Sequence, residues 1–138
     1  MKFKYRKVFV GPSLAFPQRE FVLRPVIPIS LIYKKKSLRY EALIDSGSDY
    51  ILFPAVLGKK LGINIESGKK ESVSGVSGPA LNIYFHQLVV EIGSYKFKVY
   101  AGFVDNINQN FAILGQKDFF DTFKIFFNLK KKEVEIIP

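Results

Sequence analysis

The chain has 138 residues, 48% of them apolar and 24% charged, a balance that supports one compact core and argues against disorder. Twenty-one basic against 12 acidic residues leave a net charge of +9, with no cysteine and one histidine. This excludes a disulfide scaffold and cysteine chemistry, and leaves no ligand set for a structural zinc site. No apolar run approaches 18 residues, so no membrane-spanning helix is expected. The basic start Met1–Lys7 lacks the long apolar stretch of a signal peptide, and a soluble, cytoplasmic protein is the expectation.

Short β-branched and aromatic segments, broken about every ten residues by Gly, Pro, Asn or Lys clusters, predict an all-β domain with one or two short helices over residues 1–138. Val26–Tyr33 and Leu38–Ile44 read as a hairpin around Lys34–Ser37, with Ile27, Ile29, Leu31 and Tyr33 alternating toward a core. After Asp45–Ser48 comes Tyr50–Phe53. Pro54 then opens a short helix through Leu61, and Gly62 ends it. Gly58 weakens that helix. From Ile63 to Ile92 the pattern gives two long arms around Ser74–Pro79, a tip rich in Gly and Ser. Gly93-Ser94 turns into a strand Tyr95–Val104, followed by a polar loop and a short buried strand Phe111–Leu114. Gln116–Thr122 is predicted as a two-turn helix, and Phe123–Leu129 and Glu133–Ile137 close the chain as strands.

The lysine runs Lys34–Lys36, Lys59-Lys60, Lys69-Lys70 and Lys130–Lys132 each fall between apolar segments. Spread over several turns, they read as solvated tips and not as one nucleic-acid stripe. His86 lies on the second long arm, where a solvent-facing strand position is expected; one histidine without cysteines gives no transition-metal site. Gly75–Pro79 misses the spacing of a serine-hydrolase elbow, and Gly62–Lys70 misses that of a phosphate loop. The aromatic group Phe119, Phe120, Phe123, Phe126 and Phe127 is expected to pack beneath a small barrel.

One segment carries chemistry. In Ala42-Leu43-Ile44-Asp45-Ser46-Gly47-Ser48-Asp49 an apolar strand delivers a carboxylate and breaks at once into small residues. Gly47 lets the backbone pass close to a substrate or a second loop, and the hydroxyls of Ser46 and Ser48 are available to orient the carboxylate. Asp-Ser/Thr-Gly alone arises by chance in about one chain of this length in twenty, and an Asx turn closing a hairpin is the bland alternative.

Seventy residues on stands Ala112-Ile113-Leu114-Gly115-Gln116. The order of apolar strand, Asp-Ser-Gly, glycine-rich hairpin, Ile-Leu-Gly and short helix, over about residues 21–137, resembles the retropepsins, the single-domain retroviral-type aspartic proteases. The resemblance implies a closed, barrel-like acid-protease fold with one lobe per chain. It implies Asp45 as the catalytic residue, with Ser46, Gly47 and Ser48 supporting its loop. Gly47, Asp49, Ile113 and the flap tip Gly75, Val76, Ser77 and Gly78 are then the substrate contacts, with Ile51 also in the cleft wall. No cofactor and no metal are implied. Two carboxylates sharing one proton serve as base and acid; one motif per chain therefore requires a C2 homodimer acting on a peptide or protein substrate. Gln116 stands where many viral members carry an arginine partner for the position of Asp49, so Arg24 or a lysine would have to replace it. Residues 1–20 have no family counterpart and would add a strand or contribute to subunit pairing. Two other readings stay open: an unproductive peptide-binding or assembly module of the same fold, and a basic nucleic-acid-binding β domain.

Overall fold

Alternation along the strands decides which face each one buries. In the computed structural model, which describes residues 1–73, 80–105 and 110–138, this begins with three short strands, β1 (Lys2–Lys4), β2 (Arg6–Phe9) and β3 (Phe21–Arg24). The predicted hairpin follows as β4 (Val26–Tyr33) and β5 (Lys36–Ile44). Its turn is tighter than expected, since Tyr33 pairs with Lys36 and Lys34 takes φ 53°. Ile27, Ile29 and Leu31 point into the core while Pro28 is exposed. Next come β6 (Leu52–Pro54), α1 (Ala55–Lys60), a 3-10 turn at Ile65–Ser67, β7 (Lys69–Val73), β8 (Leu81–Ile92), β9 (Tyr95–Val104), β10 (Ala112–Leu114), β11 (Lys124–Asn128) and β12 (Glu133–Ile137). The helix sits where Pro54 and Gly62, the latter at φ 82°, place it.

Six strands close into a barrel in the order β4-β5-β10-β6-β9-β8, with Val89–Glu91 of β8 pairing back onto Ser30–Ile32 of β4. Closure removes the exposed edges that an open sheet would present. Short β10 wedges between β5, to which it runs parallel, and β6, to which it runs antiparallel. Beyond the barrel, the first half of β8 continues as one of the two predicted arms and pairs with β7, whose five residues are all exposed. The tip 74–79 lies outside the described residues. Inside the barrel Phe53, Phe103, Phe119, Ile27, Leu31 and Val90 are fully buried.

Four sequence-based expectations change. Gln116–Thr122 is not a two-turn helix: the segment breaks at Lys117 and Asp118, the latter at φ 70°. The Asp118 carboxylate instead accepts a 2.7 Å bond from the Tyr100 amide on the edge of β9, an anchor that competes with regular helix. His86 is half-buried rather than solvent-facing; its Nε2 lies 2.7 Å from the Ile65 carbonyl oxygen and its ring meets Phe103 edge-on. Of the aromatic group, Phe119 and Phe123 are core residues, but Phe126 and Phe127 are exposed. Ile51 is buried in the core cluster, so its side chain is not presented on the surface of this chain.

The chain ends pair with each other. A three-stranded sheet β1-β12-β11 is closed by reciprocal backbone bonds between Met1 and Ile136, at 2.7 and 2.8 Å. There the Lys4 ammonium, 2.9 Å from Glu133, holds that carboxyl below its usual range by its hydrogen bond and charge, with Lys131 and Lys2 adding to the effect. A carboxyl depressed in the folded state stabilises at neutral pH, and that contribution fades as pH falls through its folded value. Amide exchange at Ile136 should therefore quicken in acid relative to the barrel amides, and Lys4→Met should flatten the difference.

Gly58 explains a helix glycine that propensity disfavours. A Cβ there would sit 2.5 Å from Ile65 Cδ1 and 2.8 Å from the Phe103 ring. Gly58→Ala should cost about 1–3 kcal/mol by overpacking, measured by urea unfolding, although alanine is the better helix former.

Candidate active site

The Asp45 loop is held by backbone bonds from two sides. Ile44 donates to the Pro25 carbonyl at 3.0 Å, and Asp45 donates to the Leu114 carbonyl at 3.0 Å. Past the end of β10 the bonding continues in the opposite sense: the Gln116 amide donates to Ser48 at 2.8 Å and the Lys117 amide to Asp49 at 3.0 Å. The loop also closes on itself, with Ser48 N–H donating to the Asp45 carbonyl at 3.3 Å. A strand, a wedge and a turn thus fix where the carboxylate leaves the barrel, which is the kind of rigid support a reacting group needs.

Asp45 itself is half-buried, and Ser46 and Gly47 are exposed. The Gly47 amide donates to Asp45 Oδ1 at 2.9 Å, and a Cβ on Gly47 would approach that oxygen to 3.2 Å. Neither serine hydroxyl meets the carboxylate, contrary to the sequence-based expectation. Ser48 Oγ donates to the Tyr50 carbonyl at 2.9 Å, and Ser46 contributes its backbone carbonyl, which accepts 2.6 Å from Gln116 Nε2. The short Asp-Ser-Gly-Ser stretch presents one amide, that of Gly47, to the acid and uses the Ser48 hydroxyl and the Ser46 carbonyl for bracing.

Gln116 is the residue whose role the sequence did not reveal. Its side chain holds Ser46 and not Asp49, and no ion pair joins Asp49 to Arg24 or to a lysine among the described residues. The available signal was its position: a polar side chain immediately after Ile-Leu-Gly, one residue past the wedge strand. Ile113 is buried, on the face opposite Ala112 and Leu114, in a row with Leu43 and Leu52. Gly75, Val76, Ser77 and Gly78 fall outside the described residues, so the structure brings together Asp45, Ser46, Gly47, Ser48, Asp49 and Ile113 of the expected set. Among the described residues no group of three or more His, Asp or Glu side chains could hold a metal ion.

The architecture that carries this loop is the retropepsin-like aspartic protease fold. A retropepsin-like aspartic protease from Rickettsia conorii superposes with a TM-score of 0.59 at 14% identity, over 97% of this chain and 95% of that one. The retroviral protease-like domain of Ddi1 from Leishmania major gives 0.58 at 14% identity, over 85% of this chain and 96% of that one. EIAV protease, solved with the inhibitor HBY-793, gives 0.51 at 17% identity, over 72% of this chain and 88% of that one. No protein-family model and no curated protein matches the chain in sequence.

The tightest approach in the site is at Gly115, where a Cβ would lie 2.2 Å from the Tyr50 carbonyl oxygen and 2.6 Å from that of Ser48. Both are backbone atoms and cannot swing aside. Gly115→Ala should cost at least about 2 kcal/mol in urea unfolding, more than Gly58→Ala, where side-chain ends can yield.

Proposed function

We propose that the chain is an aspartic endopeptidase that works as a homodimer, with Asp45 of each subunit forming the catalytic pair. The observation that carries this is a single carboxylate delivered at the end of β5 on a loop clamped by backbone bonds, with Ser46 and Gly47 exposed beside it. The retropepsin-like fold supports the reading.

In the paired site, two carboxylates close together cannot both ionise, so they share one proton. The ionised member takes a proton from a water molecule as that water attacks the scissile carbonyl. The protonated member gives its proton to the carbonyl oxygen, and the leaving nitrogen is protonated as the tetrahedral intermediate collapses. Gly47 N–H holds one carboxylate oxygen in place for this. The rigid loop bonding means little reorganisation is needed at the moment of reaction. Water attacks directly, so the chemistry of this class uses neither metal nor other cofactor.

The substrate would be a peptide or protein segment bound in extended form between the subunits, by main-chain pairing of the strand-addition kind. Gly47, Asp49 and Ile113 are assigned to its contacts. Gly75, Val76, Ser77 and Gly78 are assigned to a covering flap on their sequence and on the arms β7 and β8 that lead to them. No helix of the described residues is long and apolar enough to cross a membrane, and the cysteine-free composition fits work in the cytoplasm. The lysine runs at the β4–β5 turn, the end of α1, the start of β7 and the β11–β12 turn are scattered over separate elements, which disfavours a nucleic-acid role.

Mass-spectrometric cleavage of a diverse peptide pool between about pH 4 and 7 tests this, since a shared-proton acid–base pair works within such a range. Asp45→Asn should lose about 10²–10⁴-fold or more of the activity while keeping its fold. Specific activity should also fall on dilution below the dimer dissociation constant. A stable wild-type dimer that binds but never cleaves peptides would instead identify a binding module.

A further inference from the structure

The ribbon of β2 and β3 ends in an uncharged, apolar loop. The two strands form a sheet of their own, pairing Arg6 with Arg24 at the root and Phe9 with Phe21 further out. From Val10 to Gln18 the joining loop holds no charged residue, and residues 12–18 are all exposed. Leu14 is wholly exposed, Phe9 78% and Phe16 59%. Such a concentration of large apolar groups marks an interaction surface.

The loop is bonded within itself. The Val10 and Gly11 amides donate to the Glu20 carbonyl at 3.2 and 3.4 Å, and Ser13 and Phe16 exchange backbone bonds at 3.1 Å each. Arg19 Nε donates to the Gly11 carbonyl at 3.0 Å. Leu14 and Phe16 are thus held outward with little left to order on binding. A protruding apolar tip suits a deformable apolar medium, whereas a protein partner needs a cleft shaped to receive it.

Cations stand behind the tip. Arg19 lies over the Phe16 ring, 5.2 Å from its centroid, and Lys7 over the Phe21 ring at 4.5 Å. The Tyr5 amide donates to the Lys132 carbonyl at 2.8 Å, which sets the β11–β12 turn beside the root of the ribbon. That turn exposes Leu129 and Lys130–Lys132. Lys4 is paired with Glu133 and Arg6 with Glu41, so Lys7, Arg19, Arg24 and the turn lysines face Glu20 as the acidic residue of the ribbon. Four paired residues span about 10 Å. A tip seated at the boundary of headgroups and acyl chains therefore leaves the root cations about one Debye length from the phosphates.

We propose that this arm is a peripheral membrane anchor, with Leu14 and Phe16 entering the acyl boundary of an anionic bilayer and the basic collar behind them binding its headgroups. Both features select the same partner. The charges that draw the arm to an anionic lipid surface repel a second copy of the arm. A few apolar side chains give reversible attachment, not insertion, in a chain whose described helices are too short to cross a membrane. Each Lys or Arg near such a surface tightens binding about fivefold, so attachment requires anionic lipid and weakens with salt.

The chain has no cysteine, so one introduced thiol reports on one position. A polarity-sensitive fluorophore on Leu14→Cys should shift to the blue with vesicles of equal parts phosphatidylcholine and phosphatidylserine. It should not respond to phosphatidylcholine alone, and the shift should fade with salt. The same fluorophore on Ser94→Cys should stay silent, because Gly93 of that turn lies against Met1, at the end of β1 away from β2. In flotation with the mixed vesicles, Leu14→Ser/Phe16→Ser should weaken binding at least about tenfold, with an unchanged far-ultraviolet circular dichroism spectrum. Lys130→Gln/Lys131→Gln/Lys132→Gln should weaken it about fivefold per lysine. Failure of wild type to float with mixed vesicles, binding that survives the double variant, or equal binding to neutral vesicles would overturn the proposal. So would a Leu14 signal that shifts as strongly with polyglutamate, which assigns the arm to an acidic protein, or with protein concentration alone, which assigns it to a second copy. Peptide cleavage enters none of these readouts, so this inference and the peptidase reading fail separately.

Discussion

The backbone bonding around β10 is the constraint on which the rest of the site depends. Three residues, Ala112–Leu114, run parallel to β5 and antiparallel to β6 and tie both to the Asp45 loop. Leu114 accepts from Asp45, and directly after Gly115 the chain turns its amides toward Ser48 and Asp49. Only a residue without a side chain fits between the Tyr50 and Ser48 carbonyls at that turn, so the apolar wedge and the glycine behind it form one device. The Asp45 loop is thus placed chiefly by backbone bonds.

That arrangement has a consequence for the polar residues nearby. Ser48, Gln116 and Asp118 each give a side-chain bond to backbone: Ser48 to Tyr50, Gln116 to Ser46, and Asp118 from Tyr100. These bonds satisfy main-chain groups where three elements leave the regular ladder. Gln116 reaches Ser46 directly, so the loop is braced without an arginine partner for Asp49. The result is a site supported from beneath by neutral hydrogen bonds, with Asp49 left available to solvent.

The rest of the molecule divides between closure and projection. The barrel closes through the β4–β8 pairing and buries most of its large side chains in one cluster, with Ile83, Phe85 and Val104 in a second, smaller one. The β7–β8 arms and the β2–β3 ribbon extend beyond it, the five residues of β7 all exposed and Phe9, Leu14 and Phe16 exposed on the ribbon and its loop. A single Asp-Ser-Gly motif with one carboxylate cannot divide acid and base roles by itself.

Much of this was legible along the chain, because period-two alternation and turn residues are local signals. The β4–β5 hairpin, α1 between Pro54 and Gly62, the long arms and the closing strands all lie where alternation and punctuation put them. The pairing of Asp-Ser-Gly with Ile-Leu-Gly pointed to the architecture that the superpositions show. What local pattern could not carry was any contact across the fold. Asp118 breaks a helical segment because its carboxylate finds the Tyr100 amide, and His86 turns inward because the Ile65 carbonyl is there. Gln116 braces Ser46 across 70 residues of chain. By itself the sequence determined where most strands from β4 onward lie along the chain and where a carboxylate follows an apolar strand into glycine, since these rest on local spacing and backbone freedom. Only the tertiary structure decided which polar groups satisfy which, and which apolar groups stay outside, because those choices depend on what the folded chain brings within a bond's length.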